Sequence, residues 1–240
     1  MAQTTQSVSV VIPTRNEVEN IRPLVTQIAG TGIGLKEIIF VDEYSTDGTR
    51  EAISSLSDQF SVRLLDQDPS VPGLAGAIVS GARGASGDLL LVMDADLSHP
   101  PERIPELLAP VLNGAADMAI GSRYVPGGST PDWPLWRRLL SRTGSALAYP
   151  LTGVHDSMCG FFAISRTDFI RLDPPPIGFK IAFELMVRGK PSLRVREVPI
   201  EFRDRRHGQS KMSFTIAFRF FWRWLIAIFF RLLGTYRARS

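Results

Sequence analysis

The stretch that decides the fold is Leu89-Leu90-Leu91-Val92-Met93-Asp94-Ala95-Asp96, five apolar residues followed by two carboxylates. A short run that is apolar at every position is typical of a parallel strand buried on both faces. Polar side chains directly after such a strand lie at the carboxyl edge of the sheet, where open α/β folds bind ligands. The stretch therefore predicts an α/β fold with a ligand site at Asp94 and Asp96.

The same pattern recurs on both sides of this stretch. Further apolar runs, each a predicted strand, cover residues 8–12, 37–41, 61–65 and 117–120. Helix-like stretches separate them at residues 17–29, 47–56, 74–83 and 101–112. This alternation predicts a mostly parallel, Rossmann-like central sheet with helices on both faces. Later in the chain, the pattern predicts a helix over 135–149 and two strands, 161–164 and 193–200, that extend the sheet.

Size and composition limit the class of protein. The chain has 240 residues and a formal net charge of +3, which suits one large globular domain. Its single cysteine, Cys159, excludes a disulfide within the chain and a cysteine-based zinc site, and favours a reducing, cytosol-facing compartment. The polar first seven residues show no secretory signal, so none is expected.

The C-terminal segment differs from the rest in composition. Residues 212–234 are dense in aromatic and aliphatic side chains, but Arg219, Arg223 and Arg231 interrupt them. Central arginines disfavour a spanning helix, whereas an amphipathic helix in the membrane interface can extend its arginines to lipid phosphates. We therefore predict a catalytic domain over 1–211 and a membrane-associating helix and tail over 212–240. A buried or oligomer-forming helix is the main alternative.

The paired carboxylates have a chemical interpretation. Asp94 and Asp96 are two residues apart, so along a strand they would share one face. Two adjacent carboxylates repel each other, and a divalent cation removes that penalty. Oxygen ligands with open positions suit Mg²⁺ or Mn²⁺ shared with substrate phosphates. The alternative is structural, with Asp96 or Ser98 capping the helix that begins near Pro101.

A second acidic pair, Asp42 and Glu43, ends the second predicted strand. A carboxylate in this position can accept hydrogen bonds from a nucleobase or a ribose. Ser45 or Asp47 can instead cap the next helix, so part of this motif has a structural alternative. The first strand is not followed by a glycine-rich dinucleotide fingerprint, which argues against a dinucleotide cofactor.

The basic residues of interest form two groups. Single arginines at 123, 137 and 138 are by default solvated surface charges. The run over 203–211 combines a glycine turn with cations at both ends, Arg205 and Lys211 among them. This composition suits a loop that closes over phosphates.

Together these motifs resemble a known family. Residues 11–17 (VIPTRNE), 41–49 (VDEYSTDGT), 93–102 (MDADLSHPPE), 121–124 (GSRY) and 205–211 (RRHGQSK) are similar to the motifs of family 2 inverting glycosyltransferases of the GT-A fold. Within that family they are most similar to the dolichol-phosphate, or polyprenol-phosphate, mannosyltransferases. The resemblance covers residues 8 to about 211. It departs from the family at Glu43, where a second aspartate is usual.

The resemblance implies roles for particular residues. The nucleotide-sugar pocket would consist of Pro13, Arg15, Glu17, Asp42, Glu43, Asp94, Ala95, Asp96, Arg123, Arg205 and Lys211. The metal site would consist of Asp94, Asp96 and Ser98. Catalysis would rest on Asp94, Asp96 and Arg123. The acceptor phosphate would bind Arg123, Arg137 and Lys211, with Asp156 and Glu184 on the acceptor side.

The resemblance also implies an activity, the metal-dependent transfer of mannose from GDP-mannose to dolichyl or polyprenyl phosphate with inversion. A lipid monophosphate has a second pKa of about 6, so it is already an anionic nucleophile and needs no dedicated base. The protein would act peripherally on the cytoplasmic face of a membrane, with a possible membrane-anchoring partner protein. The alternatives are a UDP-glucose or other sugar transferase to polyprenyl phosphate and a non-catalytic nucleotide-sugar-binding subunit. The apolar C-terminal segment disfavours a nucleic-acid partner.

Overall fold

The structure, a computed structural model, describes residues 6–176 and 180–204. Arg205, Lys211 and the predicted helix over 212–240 lie outside the described residues. The strands are β1 Val8–Thr14, β2 Leu35–Asp42, β3 Val62–Asp66, β4 Leu89–Val92, β5 Met118–Ser122, β6 Phe162–Ser165 and β7 Val195–Pro199. The helices are α1 Val18–Ala29, α2 Thr49–Ser54, α3 Leu74–Gly84, α4 Ile104–Leu112, α5 Leu135–Thr152, α6 Arg166–Leu172 and α7 Ile181–Gly189, with a 3₁₀ turn over Pro101–Arg103.

The strands form one seven-stranded sheet in the order β3-β2-β1-β4-β6-β5-β7. All neighbouring strands are parallel except that β6 runs antiparallel to both β4 and β5. The predicted α/β fold with a mostly parallel sheet is therefore confirmed. Every residue of β1 is buried, which requires cover on both faces of the sheet at its centre.

The second half of the chain departs furthest from expectation. Both predicted strands join the sheet, β7 at its edge and β6 between β4 and β5, a place that the sequence did not indicate. Two helices were not predicted. Helix α6 begins with a short capping motif in which the Ser165 hydroxyl accepts a hydrogen bond from the Asp168 nitrogen. Helix α7 is buried around most of its circumference, so it lacks the amphipathic period that reveals a surface helix.

Close packing fixes α3 against the sheet. A Cβ at Gly81 would lie 2.5 Å from Val11 Cγ1 and 2.9 Å from Val41 Cγ2, closer than real contacts allow. Only glycine permits this approach of the helix to β1 and β2. A larger side chain at this position would displace α3 from β1 and β2, whose ends form part of the site described below.

Strands β1, β2 and β3 end in register with one another at the carboxyl edge of the sheet. Thr14, Asp42 and Asp66, the last residues of β1, β2 and β3, are register partners. Strand β4 ends opposite β1, where Val92 pairs with Val11. The loops after β1, β2 and β4 thus open at one edge, as the sequence predicts. Among the described helices, none is both long and apolar enough to cross a membrane.

Candidate active site

The two carboxylates after β4 lie in a turn and not in the strand. Strand β4 ends at Val92, and Leu97 has a left-handed φ of 59°. The predicted placement of Asp94 and Asp96 on one face of a strand is therefore wrong, although both residues lie at the same edge of the sheet. The Asp94 side chain is 34% exposed, whereas Asp96 is buried and its Oδ1 accepts a hydrogen bond from the Ser98 nitrogen at 3.1 Å.

The imidazole ring of His99 holds the backbone of this turn in place. Its Nδ1 accepts a hydrogen bond from the backbone nitrogen of Asp94 at 3.1 Å. The ring is buried, stacks on Phe161 and meets Phe202 edge-on. Burial lowers the pKa of His99, so the ring is neutral and carries its proton on Nε2, which lies 3.9 Å from Cys159 Sγ. No sequence feature marks His99 as a functional residue.

The turn has the donor set that a hard cation requires. Ser98 Oγ is buried and has no hydrogen-bond partner, beside the two carboxylates. Such an atom is costly unless a ligand or an ion completes it. Within residues 6–176 and 180–204, no three His, Cys, Asp or Glu side chains converge as a closed metal site. The arrangement fits an open site that shares an ion with substrate oxygens.

The helix-capping alternative is wrong for the turn after β4, but Asp47 does have a structural role at the start of α2. The 3₁₀ turn begins after Pro100 and α4 after Arg103, and neither has a side-chain cap. The interpretation of Asp96 or Ser98 as a helix cap is therefore wrong. Helix α2 begins after Gly48, also without a side-chain cap, although Asp47 accepts hydrogen bonds from the nitrogens of Thr49 and Val18. Asp47 thus joins the loops after β1 and β2.

Asp42 has one free oxygen at the strand edge. Its Oδ2 accepts hydrogen bonds from Arg50 Nη1 at 2.9 Å and from the Ser45 nitrogen at 3.1 Å. Its Oδ1 is buried and has no partner. Arg50 also bonds the exposed Asp66 at 2.6 Å. The carboxylate is thereby held in one orientation, with a buried Oδ1 that lacks a donor within the described part of the chain.

Five other residues of the predicted nucleotide pocket lie at this edge. Pro13 is buried and Arg15 is exposed, while Glu17 and Glu43 are half-buried. The Glu43 nitrogen donates to the Thr14 carbonyl at 2.8 Å, which joins the loops after β1 and β2. Ala95 is buried between the two aspartates. The structure therefore brings these five residues and Asp42 to the same edge as Asp94.

Arg123, at the end of β5, forms a buried ion pair with Asp156. Its Nε and Nη2 each bond a different oxygen of Asp156 at 2.7 Å. Burial acts to lower the pKa of Arg123, but the Asp156 carboxylate outweighs it and the pKa is raised. Two of the three guanidinium nitrogens are thus occupied, so the predicted contact of Arg123 with phosphates stays a prediction.

Glu197 on β7 holds the loop that carries Asp156. It accepts hydrogen bonds from the backbone nitrogens of His155 and Asp156 at 2.9 and 3.0 Å and from the Ser122 hydroxyl at 2.6 Å. Glu184, the other acidic residue predicted on the acceptor side, is buried in α7. The structure thus adds Glu197 as a support that no sequence motif marks.

An aromatic cluster joins the turn over residues 94–98, here called the acidic turn, to the arginines. The ring of Trp133 meets Phe202 edge-on and lies 4.0 Å from the Arg137 guanidinium carbon and 5.1 Å from that of Arg123. Arg137 also bonds Asp204 at 2.8 Å, while Arg138 bonds the Pro131 carbonyl. Phe202 in turn contacts His99. The predicted acceptor residue Arg137 is therefore held beside Arg123.

Two further groups border the acidic turn. Lys180 donates to the Met158 carbonyl at 2.8 Å, and burial lowers its pKa. A Cβ at Gly160 would lie 3.5 Å from Asp94 Oδ1, so residue 160 lies directly beside this carboxylate. Burial raises the pKa of the Cys159 thiol to about 12, which excludes it as a nucleophile near neutral pH.

The fold and this edge define a class of protein, the α/β proteins with a polar ligand site beyond the carboxyl ends of a mostly parallel sheet. Residues 9–172 match the model of glycosyl transferase family 2. The chain belongs to this family.

Curated relatives agree with that assignment. The chain is 42% identical over 211 residues to a dolichol-phosphate mannosyltransferase of Pyrococcus furiosus, covering 86% of this chain and 59% of the relative. It is 41% identical over 228 residues to a dolichol-phosphate mannosyltransferase of Mycosarcoma maydis, covering 90% of this chain and 77% of the relative. The chain thus spans less than two thirds of the length of the Pyrococcus furiosus relative.

A solved structure shares the fold. Glucosyl-3-phosphoglycerate synthase from Mycobacterium tuberculosis, in complex with Mn²⁺, UDP-glucose and phosphoglyceric acid, superposes with a TM-score of 0.75 at 21% identity. The match covers 94% of this chain and 81% of that one. At this identity the likeness concerns the fold.

Proposed function

We propose that this protein transfers mannose from GDP-mannose to dolichyl or polyprenyl phosphate, with inversion and with a divalent cation. The observation that carries the proposal is the acidic turn after β4, which holds Asp94, Asp96 and the unpartnered Ser98 hydroxyl at the same edge of the sheet as Asp42. The two relatives named above, both called dolichol-phosphate mannosyltransferase, support this choice of donor sugar and acceptor.

Asp94, Asp96 and Ser98 would hold Mg²⁺ or Mn²⁺. When bound, such an ion neutralises the charge of the departing diphosphate. The protein's part is to keep the ligands in place before substrate arrives. The Ser98 nitrogen orients the Asp96 carboxylate, and His99 holds the backbone at Asp94. These contacts lower the reorganisation that substrate binding demands.

Asp42 would orient the nucleoside. Its free Oδ1 can accept a hydrogen bond from the base or the ribose, while Arg50 keeps the carboxylate from turning away. Glu17 and Glu43 flank this position, and Pro13 and Arg15 complete the pocket in the proposal. Arg205 and Lys211, which lie outside the described residues, would contact the donor phosphates.

The acceptor phosphate would approach from the side of Arg137. The Arg137 guanidinium lies over Trp133 near Arg123, so positive charge is gathered where two phosphate groups must come together. Alignment of an anionic nucleophile with the sugar carbon and screening of the repulsion between the phosphates require no general base. Direct displacement from the opposite side of the sugar would invert its configuration.

The proposed substrates indicate where in the cell the protein would act. We place the protein peripherally at the cytoplasmic face of a membrane, with its polyprenyl-phosphate acceptor in the bilayer. The predicted helix over 212–240 and a possible anchoring partner protein would assist attachment.

A donor panel tests the proposal. The full chain would be incubated with Mn²⁺, a short polyprenyl phosphate and either GDP-mannose or UDP-glucose, and the lipid products would be identified by mass spectrometry. We expect a mannosyl phospholipid from GDP-mannose alone. A product from UDP-glucose alone would show that UDP-glucose, and not GDP-mannose, is the donor. Binding of GDP-mannose without any product would indicate a non-catalytic nucleotide-sugar-binding subunit.

A further inference from the structure

Lys180 is a half-buried cation to which the proposed mechanism assigns no role. It directly precedes α7, and its ammonium group donates a hydrogen bond to the Met158 carbonyl at 2.8 Å. Burial lowers the pKa of Lys180, because the ammonium group has lost part of its hydration. Such a charge is costly unless an anion compensates it. The role of Lys180 therefore depends on the anion that it can reach.

The main chain that Lys180 holds lies between two parts of the candidate site. The bonded carbonyl comes two residues after Asp156, whose carboxylate binds the Arg123 guanidinium. It comes two residues before Gly160, where a Cβ would lie 3.5 Å from Asp94 Oδ1. The charges of Arg123, Asp94 and Asp156 all act on the Lys180 ammonium group. Lys180 therefore lies beside both the acidic turn and the buried ion pair.

The protein provides little compensation for this charge. Both oxygens of Asp156 are bound to Arg123. Within residues 6–176 and 180–204, no carboxylate oxygen lies within ion-pair distance of Lys180, and its hydrogen bond goes to a neutral carbonyl. An ammonium group has three N–H donors, so this bond occupies one of them. The other two suit the oxygens of an anionic ligand.

The acidic turn separates Lys180 from the predicted nucleoside position. In the strand order, β4 and its turn lie between β2, which ends at Asp42, and the pair β6 and β5. Arg123 follows β5, and Gly160 lies just before β6, whose start is at the same edge because β6 runs antiparallel to β4. The groups around Lys180 thus lie on the β6 side of the acidic turn. An anion that reaches them would belong to the acceptor and not to the nucleotide at Asp42.

We propose that Lys180 binds the phosphate group of the lipid acceptor, beside Arg123. The proposal rests on the proposed function, which supplies an acceptor monophosphate, and it adds a residue to the acceptor site. Arg123 is planar and is fixed by Asp156 through two of its nitrogens, whereas an ammonium group is a compact charge on a flexible stem. Lys180 can therefore follow the phosphate as it approaches the sugar.

The charge of Lys180 assists the transfer without a proton step. An oxygen of the acceptor phosphate forms a bond to the anomeric carbon while the bond from that carbon to the diphosphate breaks, and the electron pair leaves with the diphosphate. The two reacting groups are both anionic and repel each other. Lys180 keeps its proton, offsets part of this repulsion and orients the attacking oxygen.

Binding of the acceptor by matched variants tests the proposal. Lys180→Met removes the charge and keeps a long side chain, Lys180→Arg keeps the charge, and Lys36→Met changes an exposed lysine at the start of β2. Farnesyl phosphate and its uncharged analogue farnesol would be titrated calorimetrically into the full chain in detergent, with GDP and Mn²⁺ present. Farnesol measures the contribution of the lipid chain alone, and the affinity for GDP would be measured separately.

We expect Lys180→Met to weaken farnesyl phosphate binding by about tenfold to a hundredfold, the effect of one lost hydrogen bond from a charged group. Farnesol binding, GDP affinity and thermal stability should change little in this variant. Lys180→Arg and Lys36→Met should bind farnesyl phosphate nearly as the wild type does. A loss of GDP affinity with unchanged farnesyl phosphate binding would overturn the proposal in favour of a contact with the donor diphosphate. Equal losses for farnesyl phosphate and farnesol would overturn it in favour of a packing role.

Transfer from GDP-mannose tests the proposed function separately. A wild type that binds farnesyl phosphate through Lys180 but transfers no sugar would contradict the proposed function and leave the phosphate site in place. Full transfer by the wild type, with unchanged farnesyl phosphate binding in Lys180→Met, would overturn the role of Lys180 alone.

Discussion

The imidazole of His99 and the backbone of Asp94 are joined by a hydrogen bond of 3.1 Å, with Nδ1 as the acceptor. The histidine follows Asp94 by five residues, and the chain between them makes a left-handed turn at Leu97. The ring is fixed in turn by Phe161 and Phe202. His99 therefore acts on the acidic turn as a positioning residue.

Three substitutions at His99 separate positioning from packing. The amide oxygen of His99→Asn can occupy the place of Nδ1, whereas His99→Gln places its amide near Nε2 and His99→Leu removes the acceptor. We expect Mn²⁺ affinity in the presence of GDP to fall about tenfold in His99→Leu and His99→Gln, the effect of one lost hydrogen bond, and much less in His99→Asn. Titration calorimetry measures the affinity. Equal losses in all three variants, in step with lower thermal stability, would show a packing role instead.

The ion pair of Arg123 and Asp156 should be required for stability. Asp156→Asn leaves a buried guanidinium without its counter-charge, and we expect a loss of about 3–5 kcal/mol in the free energy of unfolding. The matched control is Asp117→Asn in the more exposed pair with Arg194, where about 1 kcal/mol or less is expected. Urea denaturation measures both. Similar losses for the two variants would contradict the assigned importance of the buried pair.

Glu37 should make stability depend on pH in the acid range. Burial acts to raise the pKa of Glu37, but hydrogen bonds from Ser86, Arg63 and Ser9 outweigh it and lower the pKa from 4.5 to about 2. The stabilisation is present above the unfolded pKa and is lost as pH falls from about 4.5 towards 2, with a magnitude of about 3 kcal/mol.

The variant Glu37→Gln removes this titration. We expect the free energy of unfolding of the wild type to fall more steeply than that of Glu37→Gln between pH 5 and 3. Urea denaturation across this interval measures the slopes. Parallel slopes for the two proteins would contradict the lowered pKa.

Asp42 should contribute to nucleotide affinity through its free oxygen. A hydrogen bond to a charged group contributes about 1.5–3 kcal/mol, so Asp42→Ala is expected to weaken GDP binding by about tenfold to a hundredfold. The matched control is Asp66→Ala, which removes the other partner of Arg50 at an exposed position. Equal effects of the two substitutions would show that Asp42 acts through Arg50 and does not touch the nucleotide.

The sequence predicted the parts of the fold that depend on local pattern. The apolar runs identified β1 to β5, and the polar residues after them identified the edge that holds Asp42, Asp94 and Asp96. The position of β6 within the sheet could not be predicted from the sequence, because strand order depends on pairing between residues far apart in the chain. Its residues Phe162, Ala163 and Ile164 are all buried, which suits a central strand but does not say which one.

The contacts that were not predicted have the same cause. Asp156 was predicted on the acceptor side, but its ion pair with Arg123, 33 positions away, follows from no spacing rule. His99 was quoted within a motif, but its hydrogen bond to Asp94 depends on the turn at Leu97. Helix α6 could have been predicted, because Ser165 and Asp168 form a capping pair at its start and such a pair can be recognised in the sequence.

The most direct test of the account is mannosyl transfer by matched variants. GDP-mannose, Mn²⁺ and a short polyprenyl phosphate would be supplied to the wild type, to Asp96→Asn and to Asp68→Asn, a control at an exposed aspartate far from the acidic turn in sequence. We predict mannosyl lipid from the wild type and Asp68→Asn, and a rate lower by about 10²-fold or more in Asp96→Asn, because the leaving diphosphate loses its stabilisation. Undiminished transfer by Asp96→Asn would contradict the central role of the acidic turn.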